Sequence, residues 1–584
     1  MQKICKNCQQ NFEITDEDLK FYEKVSPVFN DKKYLIPQPT LCYECRQQRK
    51  LAFRNERVLY KRKCDLCKQQ IISIYSPDKP FQVYCQKCIW SDKYDPIVFG
   101  RNYDFNKSFF EQFSELMLKV PVMSVNLQAG NENCDYTNLT SYNKNSYLIF
   151  AALKSEDCYY CTYLHRCKNV LDSLFIFDSE LCYECVDCYF CYKVFLSQYC
   201  NNCTDSYFLY DCKKCSNCFC CVGMKNKSYC FLNQQYSKQE YIDIIDQLLK
   251  NPQWLIIAKQ KFLDLQKIIP HKYYQGINNE NVSGDHISFS KNLTNCFDCN
   301  YSEECKNCTW LHESKNCHDC YAWGQTGELG YENHLCGNNF YNVQFSASCW
   351  NNVSNLLYCY FCINNVSDCF GCIGLNHKKY CILNKQYSKK EYEQLVPKII
   401  EAMKSPHPPL TRGRSESPLV KGDLGDLKWE DSEWGEFFPS SISPFGYNET
   451  VAQEYFPTTK EQALSKNYKW KDEEKNSEYF GPKIEIPDNI DSVKDEIINQ
   501  ILNCESCNKY YKIIKQELKF YRSLKLPIPK NCPDCRHRQR LSMRNPRKLW
   551  TRNCMKCNTE IQTTYPLERK EIVYCEKCYL ETIY

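Results

Sequence analysis

Sixteen of the chain's 45 cysteines stand as eight CxxC pairs, four toward each end. The first set is Cys5/Cys8, Cys42/Cys45, Cys64/Cys67 and Cys85/Cys88; the second is Cys504/Cys507, Cys532/Cys535, Cys554/Cys557 and Cys575/Cys578. A CxxC pair at the tip of a tight hairpin can offer two thiolates about 2.3 Å from one zinc ion, and a second pair completes the tetrahedron. Zn2+ is therefore the expected cofactor, at about four ions per chain. Four sulfurs fill the coordination sphere, so such a site is structural.

The elements that position these thiols are duplicated. From Pro39 to Cys88 the two sets align without gaps at a constant offset of 490 residues. The match goes beyond cysteine: Arg46, Arg54, Asn55, Arg57 and Leu59 recur as Arg536, Arg544, Asn545, Arg547 and Leu549. In the second ribbon of each module 17 residues separate the pairs, which suits two short hairpins packed across one ion. In the first, 33 residues intervene in one copy and 24 in the other, a difference that a single loop insertion would make. Other pairings within a module stay open on spacing alone.

Cys5, Cys8, Phe12, Phe21, Tyr22, Pro39, Cys42, Cys45 and Arg46 together resemble the probable zinc-ribbon domain family of bacteria, with its CxxC, FY and PxxCxxCR signature. Cys504, Cys507, Tyr511, Phe520, Tyr521, Pro529, Cys532, Cys535 and Arg536 repeat that resemblance. Both copies replace the family's glycine after the first CxxC, with Gln9 and Asn508. The resemblance covers roughly 75 residues and implies zinc without implying an activity.

Between the modules, cysteines recur at 21 residues, as in Cys161, Cys182 and Cys203, and again in Cys296/Cys317 and Cys299/Cys320. The end of this stretch returns at an offset of 151: Cys218, Cys230 and Tyr236 match Cys369, Cys381 and Tyr387. A period near 21 with aromatic, β-rich segments suggests coils of a parallel β-solenoid. The 29 central cysteines then read either as inward ladders of small, nearly apolar side chains or, in part, as further metal ligands, for instance Cys212, Cys215 and Cys218. Ser237 with Glu240, and Ser388 with Glu391, form capping boxes that open helices closing each block. Phe109, Phe113, Leu116 and Met117 indicate a helix entering the first.

Net charge is only +5, so any electrostatic signal is local. From Arg46 to Lys63 there are eight Lys or Arg against one Glu, and from Arg536 to Arg552 seven and no acid. Lys50, Arg54 and Arg57, with Arg540, Arg544 and Arg547, are candidate contacts to phosphate, and Arg46 and Arg536 candidate partners of the thiolates. HExxH, a P-loop, a dinucleotide fingerprint and GxSxG are all absent from the sequence; no catalytic residue is assigned, and His318 is the single histidine worth following as a ligand.

The expected fold is thus mostly β and multidomain: duplicated zinc-ribbon modules flanking two Cys-rich β-solenoid-like blocks with capping helices. The expected divisions are a double ribbon at 1–95, a connecting helix at 96–130, block one at 131–250, a connector at 251–285 and block two at 286–404. A flexible linker at 405–428, an aromatic-rich segment at 429–500 and the second double ribbon at 501–584 follow. The expected function is a non-catalytic, cytoplasmic zinc scaffold binding RNA or a ribonucleoprotein through the basic arms, or a protein partner along the solenoid. An enzyme at the solenoid flank and zinc buffering are weaker alternatives. No membrane span and no small-molecule substrate are expected.

Overall fold

The computed structural model describes residues 1–127, 130–309, 330–332, 342, 344, 349–350, 354–404, 432–472 and 484–583. The chain forms two compact units. One comprises Met1–Val125, Tyr274–Lys471 and Arg547–Leu549; the other comprises Asn126–Tyr273, Asp472–Pro546 and Trp550–Tyr584. The N-terminal double module therefore folds with the second Cys-rich block, and most of the C-terminal one with the first. His318, Cys317, Cys320 and the expected linker lie outside the described residues.

In the second unit, parallel pairing advances twelve residues at a time: Phe150 pairs with Thr162, Thr162 with Leu174, Leu174 with Val186, Thr204 with Ser216. Every third residue is left-handed, from Asp157 and Tyr160 through Asp172 and Asp187 to Asn217 and Cys220. The residue after each left-handed one points inward, and these inward residues form the core: Cys158, Cys161, Leu164, Cys167, Val170, Ile176, Cys182, Cys185 and onward to Cys230. Four inward side chains per twelve-residue rung leave a bore so narrow that small residues dominate it.

The geometry also explains why so many of those residues are cysteine or serine. Of three successive amides, one donates up the stack, as Glu156 N–H does to the Cys167 carbonyl, and one donates down, as Asp157 N–H does to the Lys144 carbonyl. The third belongs to the inward residue and faces the bore. It is met by the inward side chain one rung below: Cys158, Cys167, Cys185 and Cys191 amides donate to the Oγ atoms of Ser146, Ser155, Ser173 and Ser179 at 3.0–3.2 Å. Thiols do the same, since the Ser173 amide donates to Cys161 Sγ at 3.4 Å. A buried amide without an acceptor is costly, so the bore selects small side chains that accept.

The 21-residue recurrence is therefore not the structural repeat. It is a multiple of the three-residue inward period but not of the twelve-residue rung, so it marks cysteines that share the bore without stacking. What the structure contains of the expected solenoid-like blocks is parallel strand ladders. The mostly β expectation is also corrected to mixed α/β, with 27% helix and 28% strand. A helix begins within the second CxxC pair of every ribbon, among them Tyr43–Leu51 and Pro533–Ser542, and spacing of thiols alone did not announce them.

The first unit's ladder is less regular. Glu280 pairs with Lys291 but Gly284 with Cys296, so the register shifts by one residue between them. Gly284 has φ +137°, and a Cβ there would meet the Cys296 carbonyl oxygen at 1.7 Å, which explains its lack of a side chain. The helices Phe109–Lys119, Lys238–Lys250 and Lys389–Lys404 form as expected, with the Ser237 and Ser388 boxes closed by Glu240 and Glu391. Part of the aromatic-rich segment is core of this unit: Trp434, Phe437, Phe438 and Phe445 are buried, and Glu433 accepts the Phe109 and Phe110 amides at 2.9 and 3.1 Å.

Candidate metal centres

Each tetrad is assembled by the same local device. In the four first pairs the amides of Gln9, Lys68, Asn508 and Asn558 donate back to the carbonyls of Cys5, Cys64, Cys504 and Cys554 at 2.9–3.0 Å. All four donors have φ between 57° and 63°. The turn closing each first pair is thus left-handed, at Gln9 and Asn508 as at Lys68 and Asn558. Asparagine accepts this conformation readily, and glutamine does so at some cost.

The second pair of each site enters from a helix start. Cys42, Cys85 and Cys532 are the residues preceding the first helical turn, where unsatisfied amides favour a thiolate. Their amides, and that of Cys575, donate to the Sγ atoms of Cys5, Cys64, Cys504 and Cys554 at 3.2–3.3 Å. Burial raises the Cys64 and Cys504 thiols, but these amide hydrogen bonds outweigh it and bring both down to about 6. A lowered thiol is what a metal that binds thiolate requires.

The pairing left open by spacing is resolved. Cys5, Cys8, Cys42 and Cys45 converge, as do Cys64, Cys67, Cys85 and Cys88, then Cys504, Cys507, Cys532 and Cys535, then Cys554, Cys557, Cys575 and Cys578, each with all ligand atoms within 4.8 Å of one another. The Sγ–Sγ separations for Cys8/Cys42, Cys67/Cys85, Cys507/Cys532 and Cys557/Cys575 are 3.7, 3.8, 3.7 and 3.7 Å. A tetrahedron with zinc–sulfur bonds of about 2.3 Å has edges of about 3.8 Å. All four are plausible Zn2+ sites. Among the described residues no central cysteine belongs to a group of three or more such ligands.

No family model matches the chain, and no curated protein matches it. The resemblance to zinc ribbons therefore rests on the four tetrads themselves. Two side chains missed at the level of sequence tend the thiolates: Asn7 Nδ2 donates to Cys45 Sγ at 3.2 Å and Arg538 Nη2 to Cys535 Sγ at 3.0 Å. Both sit at the middle of, or just past, a CxxC, a position that could have singled them out.

Arg536 has a different task from the one expected. It turns from the sulfurs into a buried cluster, pairing with Asp172 and with Glu517 at 3.3 Å, meeting the Tyr521 hydroxyl at 2.9 Å and lying over the Tyr160 ring at 4.8 Å. Arg540 adds a second guanidinium, 3.1 Å from Asp172, and Arg544 pairs with Asp187 at 2.8 Å while lying 3.9 Å over Phe175. Arg46 in the first unit donates to the Leu41 carbonyl at 2.8 Å.

The other arm residues are placed as follows. Arg54 pairs with Glu56, Lys50 is 0% exposed, and Arg57 is half-buried. Arg547, in the first unit, pairs with Asp298 at 2.7 Å and lies 3.9 Å over Tyr455. Arg49, which no spacing rule selected, is gripped by Glu332 and Glu436 at 2.8 and 2.9 Å. Arg536, Arg540 and Arg544, spaced i, i+4, i+8, face carboxylates rather than solvent. The helix after the first ribbon is thereby a docking strut, which explains why its cations recur in both modules.

Proposed function

We propose that this chain is a zinc-stabilised, non-catalytic scaffold that binds protein partners along its ladder flanks. The observation that carries the reading is that four of the six cations named for the nucleic-acid alternative are already engaged. Arg54, Arg540, Arg544 and Arg547 are held by carboxylates within their own units. The outer flank of the first block is likewise self-neutralising. Because rungs are in register at twelve residues, Glu132, Lys144, Glu156, Lys168 and Glu180 stack in alternating sign, with Lys144–Glu132 at 3.8 Å and Lys168–Glu156 at 3.7 Å. Lys193 meets Asp205 one rung on at 3.2 Å. Such a surface offers patterned, shape-specific contacts but little net field for a phosphate backbone. Four-thiolate sites add rigidity and no open coordination position.

The test is binding of zinc-loaded protein to mixed-sequence RNA and DNA across a salt series, alongside affinity purification from nuclease-treated cells. Partners that survive nuclease treatment, with weak and salt-insensitive nucleic-acid binding, support the scaffold. Tight RNA binding that falls steeply with salt would overturn it.

A further inference from the structure

Each unit joins its second ribbon to its ladder in the same way. Val83 pairs with Val122 in one as Val573 pairs with His271 in the other. The residue after the last cysteine, Ile89 or Tyr579, then stands at a corner of the ladder, where Ile363 bridges Asn376 as Lys213 bridges Lys225. The two corners are filled differently. In the second unit Tyr579 is 1% exposed, its hydroxyl donates to Asp211, and Lys225 Nζ lies 5.8 Å over its ring. In the first unit Ile89 stands in place of that tyrosine, Phe361 in place of Asp211 and Asn376 in place of Lys225. The corner is hollow: a cavity of about 280 Å³ opens among Ile89, Trp90, Met123, Phe361, Ile363 and Asn376, all within that unit.

The walls define what fits. They are apolar, and Trp90, 46% exposed, adds a ring against which another can stack. One polar atom interrupts them. Asn376 Oδ1 is buried and, among the described residues, has no hydrogen-bond partner. A buried acceptor left unmet is costly, so an occupant that brings a donor is favoured over one that does not. Around the apolar walls lie the exposed Asp92 and Asp95 and the half-buried Lys378. An apolar pocket inside a charged rim is the layout that holds an aromatic anchor at a protein interface.

We infer that this cavity takes a tryptophan side chain of a protein partner, whose indole replaces the ring that Tyr579 supplies in the other unit and whose N–H meets Asn376 Oδ1. An indole N–H is a donor only, so one acceptor satisfies it. Phenylalanine would leave the oxygen unmet, and a phenol would bring lone pairs of its own against apolar walls. The inference rests on the scaffold reading and names one contact by which a partner is held.

The experiment is saturation-transfer NMR of N-acetyl-tryptophanamide titrated onto the zinc-loaded, reduced full chain, with the phenylalanine and tyrosine amides and free L-tryptophan as comparisons. The tryptophan amide is expected to bind saturably and roughly fivefold tighter than the phenylalanine amide, the margin of one net hydrogen bond. Asn376→Leu should erase that margin while ring binding persists. Ile89→Tyr copies the residue that follows Cys578, so the ribbon tolerates it; it should fill the cavity and abolish binding with zinc content unchanged. Absence of saturable transfer, binding indifferent to Ile89→Tyr, an indole margin that survives Asn376→Leu, a tyrosine amide that binds as tightly, or free L-tryptophan binding tighter than its capped amide would each overturn the inference. Nuclease-resistant partners retained unchanged by Ile89→Tyr would overturn it too, and leave the scaffold reading standing.

Discussion

Replacing Cys161 separates two explanations for a thiol-lined bore. Cys161 is fully buried; its Sγ accepts the Ser173 amide at 3.4 Å, and its one S–H has the Tyr159 and Val170 carbonyls in reach at 3.1 and 3.5 Å. Both carbonyls keep another partner if the thiol is removed, since Tyr159 O also accepts the Asp172 amide and Val170 O the Tyr159 amide. The group orphaned in Cys161→Ala is thus the Ser173 N–H, at about 1–3 kcal/mol, with a small cavity term added. Cys161→Ser keeps an acceptor at the same place, as Ser173 and Ser197 do one and three rungs on, and should cost less than about 1 kcal/mol. Simple apolar burial predicts the opposite order, because an alanine is cheaper to bury than a hydroxyl. Guanidinium unfolding with hydrogen exchange on the full chain reads the difference: serine is expected to be the more stable by about 1 kcal/mol or more, a fivefold or larger change in the folded ratio, with Ser173 amide protection lost only in the alanine variant. An alanine variant as stable as the serine one would refute the acceptor argument.

Asp172→Asn leaves Arg536 with Glu517 alone and takes from Arg540 the carboxylate beside it, and should loosen the second unit by about 3–5 kcal/mol. Hydrogen exchange around the helix Pro533–Ser542 measures this, and a loss below about 1 kcal/mol would show that the cluster is not what seats the helix. Elemental analysis should find four zinc ions per chain, and a count of six or more would place metal in the central thiols. The second ribbon of each module leaves Cys67 and Cys557 exposed, whereas the first ribbons have no fully exposed ligand. Chelator should therefore strip the Cys64 and Cys554 sites first; thiol alkylation mapped by mass spectrometry should report Cys67 and Cys557 ahead of Cys8 and Cys507.

The metal sites were legible because their information is local. A CxxC fixes its own turn, and the 17-residue spacing suited the partner that each second-ribbon pair takes, although the convergence of the sulfurs was needed to close the other pairings. The ladder was only half legible. An inward period of three is visible in runs such as Cys182, Cys185, Cys188 and Cys191, but the rung length depends on which amides pair, and sequence similarity at 21 residues pointed elsewhere. The partners of the arginines were illegible for a third reason. Helical spacing shows that Arg536, Arg540 and Arg544 share a face, yet their carboxylate partners, Asp172 and Asp187, lie more than 350 residues earlier. Nothing local connects them.

Cysteine then performs two chemistries in one chain, and both require it reduced. At the tetrads amides draw down thiols such as Cys64 and Cys504, and four converging sulfurs form a plausible Zn2+ site. In the bore, burial pushes thiols such as Cys158 and Cys200 well above their ordinary value and keeps them neutral, and cysteine works there as a small apolar filler that can still accept an amide. Leucine would fill the bore but leave the inward amides unmet; serine would meet them but bury less apolar surface. The ladder mixes all three, with Leu164, Val170 and Ile176 among Cys158, Cys161, Cys167 and Ser173, so that volume and hydrogen bonding are balanced rung by rung. Zinc fixes the terminal ribbons, buried ion pairs join the ribbon helices to the ladders, and the ladders hold their own amides. An oxidant that cross-linked the bore would therefore remove its hydrogen-bond acceptors at the same time as it threatened the tetrads, which ties the integrity of each unit to a reducing environment by two independent routes.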